Sequence, residues 1–556
     1  MIPTTQQSPN QVVGKHVPEQ ASKSSRMKSL CDLPNEILLQ IFSCVDLHRE
    51  IRILGYIPDE PLPSCPDYQV LKDFRLYNSW LLNVALTCKR FAALIPEVAL
   101  RTIVLDVYTR YVQPERPRLC WSAPFALLLQ FKEKPDLIRH IKQLRIHLPY
   151  TDEPDRYQCD NEGMGSMLAS LRVPNAWKVK LFKDITTSFG RGPFNVLLSV
   201  LELDVLCVSE PHNEPKLEWA EQLSVAPFTP PIIRSLRYLR MESVLPPAIQ
   251  AVEVFRKLNT VDLSIALCGQ SPFDIVSASE KFLANTAVNN IKRLRLNFEV
   301  RTIGVWSSAR RTCMSNVVKG FQNLESLTYY AESSVAKNPY RSLRSFPAYQ
   351  ANIQIYPEVS LSPELIEGYW DQTIYEARTT VTDYQCLVDN LVHLRPSLKH
   401  LQLPGGFWTL PGAARKPIPR FDQFTQLRKL IVPQAALISI KLDNMRVDTV
   451  SQGDFELFAS EVLPVSLRHL TIFDLDETFL RCKWLQRLFS EHKSHDQWPE
   501  FRTLKLLMGP TFSDEMLEAL LARRVSAEFW TVVDEAGFDV IVGRDDLDPS
   551  LLPDLR

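Results

Sequence analysis

The hexapeptide IKRLRL, Ile291 to Leu296, places apolar residues at its first, fourth and sixth positions. Its alternating end predicts a short strand with Leu294 and Leu296 on one face and Arg295 on the other. Toward the N-terminus the same pattern occurs as LNTVDL (Leu258 to Leu263), LRYLRM (Leu236 to Met241), LSVLEL (Leu198 to Leu203) and IKQLRI (Ile141 to Ile146). Toward the C-terminus it returns as LESLTY (Leu324 to Tyr329), LKHLQL (Leu398 to Leu403), LRKLIV (Leu427 to Val432), LRHLTI (Leu467 to Ile472) and FRTLKL (Phe501 to Leu506). Most of these segments start between 22 and 40 residues apart. The two larger gaps, before Leu198 and before Leu398, leave room for a missed repeat or an insertion.

Periods of this size indicate a solenoid. The intervening chain includes helical stretches such as SASEKFLANTAV and TDYQCLVDNLVHL, so the expected class is mixed α/β, one strand and one helix per unit. The units resemble degenerate leucine-rich repeats, which implies a horseshoe-shaped solenoid over residues 105–530. An ordinary α/β sheet also contains LxxLxL strands, and the units lack a regular asparagine at the turn.

In such an array, pleating sends the middle residue of each alternating end to the concave face. That row is Arg145, Glu202, Arg240, Asp262, Arg295, Thr328, Gln402, Ile431, Thr471 and Lys505. Cations at four places suit an acidic or phosphorylated peptide, so Arg145, Glu202, Arg240, Asp262, Arg295, Gln402 and Lys505 form a candidate target-binding face. Solvated strand faces produce the same polar pattern. An insertion over 330–383, rich in tyrosine, proline and serine, interrupts the array; its aromatics suit a loop packed over the sheet and able to meet a partner.

Farther out, SLCDLPNEILLQIFSCVD, Ser29 to Asp46, carries a dense apolar stripe through Leu33, Ile37, Leu38, Ile41, Phe42 and Val45 at helical steps. Pro34 suits the first turn of that helix, where its missing N–H would have no partner. SWLLNVALTCKRFAALIPEVALRTIVLD follows with two more helical patterns through Leu82, Ala85, Leu86, Phe91, Ala92 and Ile95, then a strand-like IVL.

Together these pieces resemble the F-box. The matching residues are Leu33, Pro34, Glu36, Ile37, Leu38, Ile41 and Phe42, then Ala85, Leu86, Cys88, Lys89, Arg90 and Phe91. The resemblance, to a fungal-type F-box protein, implies a three-helix module over 29–104 that docks on a Skp-type adaptor and joins a cullin-RING ubiquitin ligase of the SCF type. Leu33, Pro34, Ile37, Leu38, Ile41, Phe42, Leu82, Leu86 and Phe91 are then the candidate adaptor-binding residues, some of them internal packing. A proline-rich loop at 47–78 separates the halves where a short loop is usual; prolines bar it from continuing a helix. The chain is thereby expected to be a non-catalytic substrate receptor, or a scaffold bound to the adaptor outside ubiquitination.

Composition agrees with a globular chain in a reducing compartment. The formal net charge of -1 argues against nucleic-acid or membrane binding through bulk charge, and the 11 cysteines contain no CxxC pair. Residues 1–28 read as a polar, disordered tail without a signal-peptide core, and 531–556 as a tail or cap. The expected location is cytoplasmic or nuclear, with no cofactor and no metal. HLTIFDLDETFL resembles the first motif of haloacid dehalogenase-type phosphatases, with Asp474 as nucleophile. Against that stand the repeat strand it continues and the 78 residues left after Thr478. His492 and His495 have a metal-like spacing but no third ligand nearby.

Overall fold

The computed structural model describes residues 33–42, 80–106, 122–147, 161–187, 191–209, 229–244, 258–267, 288–300, 317–333, 384–403, 420–437, 441–449, 458–509 and 512–544, with short gaps inside several of these, together with Trp219 and Leu223. The tail 1–28, the inserted loop 47–78, Leu82 and the insertion from residue 334 to 383 lie outside them.

Among the described residues twelve strands form one sheet. They are β1 (Thr102–Asp106), β2 (Gln143–His147), β3 (Val205–Ser209), β4 (Tyr238–Val244), β5 (Asp262–Leu267), β6 (Arg293–Val300), β7 (Ser326–Ser333), β8 (His400–Gln402) and β9 (Lys429–Pro433). After a separate hairpin of β10 (Lys441–Asp443) and β11 (Arg446–Thr449), β12 (His469–Leu475), β13 (Thr503–Met508) and β14 (Asp539–Arg544) complete it. Every neighbouring pair in the sheet is parallel, and the strands follow chain order without a crossover. Parallel neighbours need a connection that returns to the starting end. Here such connections include helices Arg191–Val200 before β3 and Lys483–His495 before β13.

Alternation sets the layers. Leu144, Leu206, Leu239, Leu263, Leu294, Leu327, Leu401, Leu430, Leu470 and Leu504 occupy one register row across successive strands, and all are buried. Two residues on, Ile146, Val208, Met241, Ile265, Leu296 and Tyr329 form a second buried row. Burying each such side chain contributes roughly 1.5–3 kcal/mol, so the two columns are the main stabilising element of the sheet.

At the strand entrances the backbone forms a second ladder. The carbonyl of Arg101 accepts from the N–H groups of both Lys142 and Gln143, at 3.0 and 2.9 Å. The same doubled bond is made by the carbonyls of Lys142, Asp204, Arg237, Val261, Lys292, Glu325, Lys399, Arg428 and Arg468, each to two residues of the next strand; Arg502 passes it on to Asp539. One residue per strand is thus fixed in line along the lip of the sheet.

Most of the strand expectations hold, with corrections of place and bounds. LSVLEL is not a strand: Leu198 lies in the last turn of helix Arg191–Val200, and the strand follows at Val205–Ser209. Leu198 and Leu201 lie three apart, a spacing that serves a helix as well as a strand, and the alternating residues are Leu206 and Val208. In LNTVDL the pairing is two residues later than the motif implies, with Leu263 beside Leu239 and Leu294. Neither large gap hides a strand of the sheet, since β2 pairs with β3 and β7 with β8 directly. Helices Asn161–Ser170, Asn175–Thr187 and Arg191–Val200 fill much of the first gap. The sheet also reaches beyond 105–530 at both ends, through β1 and β14, and β7 runs to Ser333, past the expected start of the insertion at 330.

Candidate functional site

The N-terminal motif residues form a small core of their own. Helix 35–42 buries Leu38 and Phe42 against Leu81, Phe91, Ile95, Val98 and Ala99. Phe42 and Phe91 meet edge to face, with centroids 5.6 Å apart. The second half of the motif closes this core through its polar residues. Cys88 caps helix Lys89–Ala99, its Sγ accepting from the Phe91 N–H at 3.4 Å. Arg90 donates from Nη2 to the Leu33 carbonyl and to Asn35 Oδ1, both at 2.6 Å, and from Nε to the same oxygen at 2.9 Å. It thereby ties the start of the first helix to the third.

What remains outside this core is an apolar fringe. Ile37 is 40% exposed, Ile41 38%, Trp80 49% and Leu86 85%. Pro34 is also exposed and Leu33 half-buried. The nine candidate adaptor residues therefore divide: Leu38, Phe42 and Phe91 are internal packing, while Pro34, Ile37, Ile41 and Leu86 present themselves outward. Leu82 lies outside the described residues. Trp80 was not singled out by its spacing, because the apolar run Trp80, Leu81, Leu82 offers three consecutive residues and only a helix axis tells inside from outside.

The polar face of the sheet differs from the expected row. In register, the row reads Val104, Arg145, Cys207, Arg240, Ser264, Arg295, Thr328, Gln402, Ile431, Thr471, Lys505 and Ile541. Glu202 precedes β3 and pairs instead with Lys142, Nζ to Oε2 at 3.1 Å. Asp262 stands one row earlier, beside Arg293, and the two form a fork of hydrogen bonds, Nη2 to Oδ2 at 2.6 Å and Nε to Oδ1.

Nor is the row uniformly open. Arg145, Arg240 and Arg295 retain 1–3% of their exposure, and Asp262 1%. These four are interior residues, whereas Gln402, Ile431 and Lys505 keep part of their surface. Nearby, His400 shares a hydrogen bond of 3.1 Å with Ser326 Oγ through Nδ1. Burial, with Lys429 beside it, pushes its pKa down to about 3. His469 is lowered too, first by burial and then by Lys429, Arg502, Lys505 and Arg468.

Among the described residues the remaining enzyme-like strings do not assemble a site. Asp474 belongs to β12, tenth in an unbroken parallel order, while Asp476 and Thr478 lie outside the described residues. A doubly wound sheet opens its crevice where the strand order reverses, and this order does not reverse. His492 packs its ring on Phe538 and Phe501, at 5.0 and 6.0 Å between centroids. Among the described residues no group of three or more His, Cys, Asp or Glu is placed to hold a metal ion. No described helix is long and apolar enough to cross a membrane.

A family model described as F-box-like matches residues 30–102. That range covers both motif halves and ends at β1. No curated relative matches the chain.

Proposed function

We propose that this chain is the substrate-recognition subunit of an SCF-type cullin-RING ubiquitin ligase, holding a Skp-type adaptor through residues 30–102 and a target protein through the sheet domain. The observation that carries the reading is the exposed fringe of Ile37, Ile41, Trp80 and Leu86 on a self-contained helical core, inside the stretch that matches the F-box-like family. Large apolar side chains left outside a complete core suit a protein partner. F-box domains are typically receptor modules without catalytic residues, so ubiquitin transfer falls to the partners. The contribution of this chain is proximity: a target lysine held beside activated ubiquitin gains effective concentration.

The sheet domain is best read as an irregular leucine-rich-repeat solenoid of a fungal-type F-box protein. Sequential parallel strands, two buried apolar columns and one lip residue per strand support that reading. A cytoplasmic or nuclear location follows from the proposed partners.

Adaptor capture tests the assignment. Ile37→Asp with Ile41→Asp removes fringe residues only, and central interface positions typically contribute 2 kcal/mol or more, so recovery of the adaptor should fall by at least about 30-fold. Circular dichroism of the variant should match the unaltered chain. Undiminished capture by a folded variant would remove the basis for the assignment.

A further inference from the structure

With Arg145, Arg240 and Arg295 interior, recognition of a charged target falls to another part of the sheet. The lip residues, fixed one per strand by the doubled carbonyl bonds, read Arg101, Lys142, Asp204, Arg237, Val261, Lys292, Glu325, Lys399, Arg428, Arg468 and Arg502. Acids stop with Glu325; the last four rungs are all cations. Strands pair about 4.8 Å apart, so these four span about 14 Å, the reach of four or five extended residues.

The lip already holds carboxylates of its own chain. Glu325 accepts from Lys292 at 2.9 Å and from Lys399 at 2.7 Å, and this pairing draws its pKa below the usual carboxylate range. Glu500 meets Arg468 at 2.5 Å. Arg428 and Arg502, on either side of Arg468, are exposed and form no ion pair among the described residues. Arginine presents a planar fork that matches a carboxylate or phosphate with two bonds.

We infer that the lip at Lys399, Arg428, Arg468 and Arg502 is the seat for an extended anionic segment of the target, with carboxylate or phosphate side chains against Arg428 and Arg502. The inference rests on the receptor reading above for the word target, and deepens it by naming the chemistry recognised. A peptide fits better than a nucleic acid. The residues behind the lip on the sheet face, Lys429, Ile431, His469, Thr471 and Lys505, offer no exposed phenylalanine, tyrosine or tryptophan on which a base would stack, and Phe473, farther along the same face, is buried. The net charge of -1 also leaves attraction to this strip rather than to the whole molecule.

Fluorescence anisotropy on the full chain bound to its adaptor tests this, with labelled peptides of about 12 residues that are glutamate-rich, phosphoserine-rich or uncharged, and a single-stranded RNA of similar length. At least one anionic peptide should bind about tenfold or more tightly than the uncharged peptide, and weaken as salt shortens the Debye length. The Glu peptide and the phosphoserine peptide distinguish a constitutive acidic signal from one that phosphorylation switches on. Arg428→Glu with Arg502→Glu should cut that affinity by about tenfold or more, while Arg101→Glu with Arg237→Glu, on the opposite end of the same lip, should change it less than about twofold. Should the reversed variant fold poorly, Arg428→Gln with Arg502→Gln serves in its place. No preference for anionic peptides, equal losses from the two pairs, or tighter binding of RNA would overturn the inference. Adaptor capture is measured in parallel: its loss with peptide binding intact would count against the F-box reading alone.

Discussion

His400 illustrates how a polar side chain tucked beside a strand entrance affects stability. Among the described residues its buried Nε2 has no hydrogen-bond partner, while Nδ1 is engaged with Ser326. Because its folded pKa is depressed to about 3, below the ordinary value of 6.5, the unfolded chain binds the proton more readily. The stability this histidine permits is therefore complete above about pH 7 and falls as pH drops through the ordinary value toward the folded one. Between pH 7 and 5 the loss from His400 is at most about 2 kcal/mol. His393 and His469 shift in the same direction, each chiefly through burial. Denaturant midpoints should fall over that range, and His400→Gln should flatten the fall; an unchanged pH slope in the variant would contradict this account. Arg90 works at the same scale but locally. Its three hydrogen bonds to Leu33 and Asn35 join the two motif halves across the inserted loop, and charge-assisted bonds contribute roughly 1.5–3 kcal/mol. Arg90→Ala should lower the stability of the N-terminal module by about that amount, read by protease resistance of residues 33–42.

At the scale of the element, a recurring Ser-Leu pair precedes several strands and bonds them to the unit before. Ser235 Oγ donates to the Leu203 carbonyl at 2.8 Å, Ser397 to Leu324 at 2.9 Å and Ser466 to Leu427 at 2.9 Å. Asn290 serves the same position, donating to Leu258 at 2.6 Å and to Thr260 at 3.3 Å. These side chains satisfy carbonyls at the turns, where the irregular chain leaves acceptors over. Ser397→Ala and Ser466→Ala should each cost about 1 kcal/mol, and a smaller change than a few tenths would mean water replaces the hydroxyl without loss. SLRYL, SLKHL and SLRHL carry both the hydroxyl and the strand, and there the pattern located the strand correctly. IKQLRI, LRKLIV and FRTLKL locate their strands without a serine, whereas in LSVLEL the three-residue spacing of a helix end satisfies the same pattern. The apolar column could be read from alternation alone, because Leu and Ile need only be inside. Burial of Arg145, Arg240 and Arg295 could not, since the pleat tells which face a residue takes but not what else lies on that face. In the N-terminal module the helices were legible from their period, while the division between core and fringe depended on the axis direction that Arg90 sets.

Across the whole molecule, most of the buried apolar residues described fall into two clusters, one under the sheet and one among the N-terminal helices. Leu38, Phe42, Leu81, Phe91, Ile95, Val98 and Ala99 belong only to the second. The sheet cluster runs from Leu105 to Ala536 without a break in the strand order. Two cores that share no buried apolar residue should open with separate free energies, because the cost of exposing one does not include the area of the other. Leu38→Ala removes a side chain with no exposure and should cost the N-terminal cluster about 2–5 kcal/mol. Leu430→Ala, equally buried, should cost the sheet a similar amount. Hydrogen exchange followed by mass spectrometry reads the two apart. In Leu38→Ala, amides of 89–99 should exchange faster while those of 469–475 keep their protection, and in Leu430→Ala the reverse should hold. Joint acceleration of both segments in either variant would show one cooperative unit, coupled where helix Lys89–Ala99 packs on the turn Pro135–His140 and passes into β1. Separate opening also serves the proposed receptor role, in which an adaptor held by the N-terminal module would leave the cationic lip unaltered.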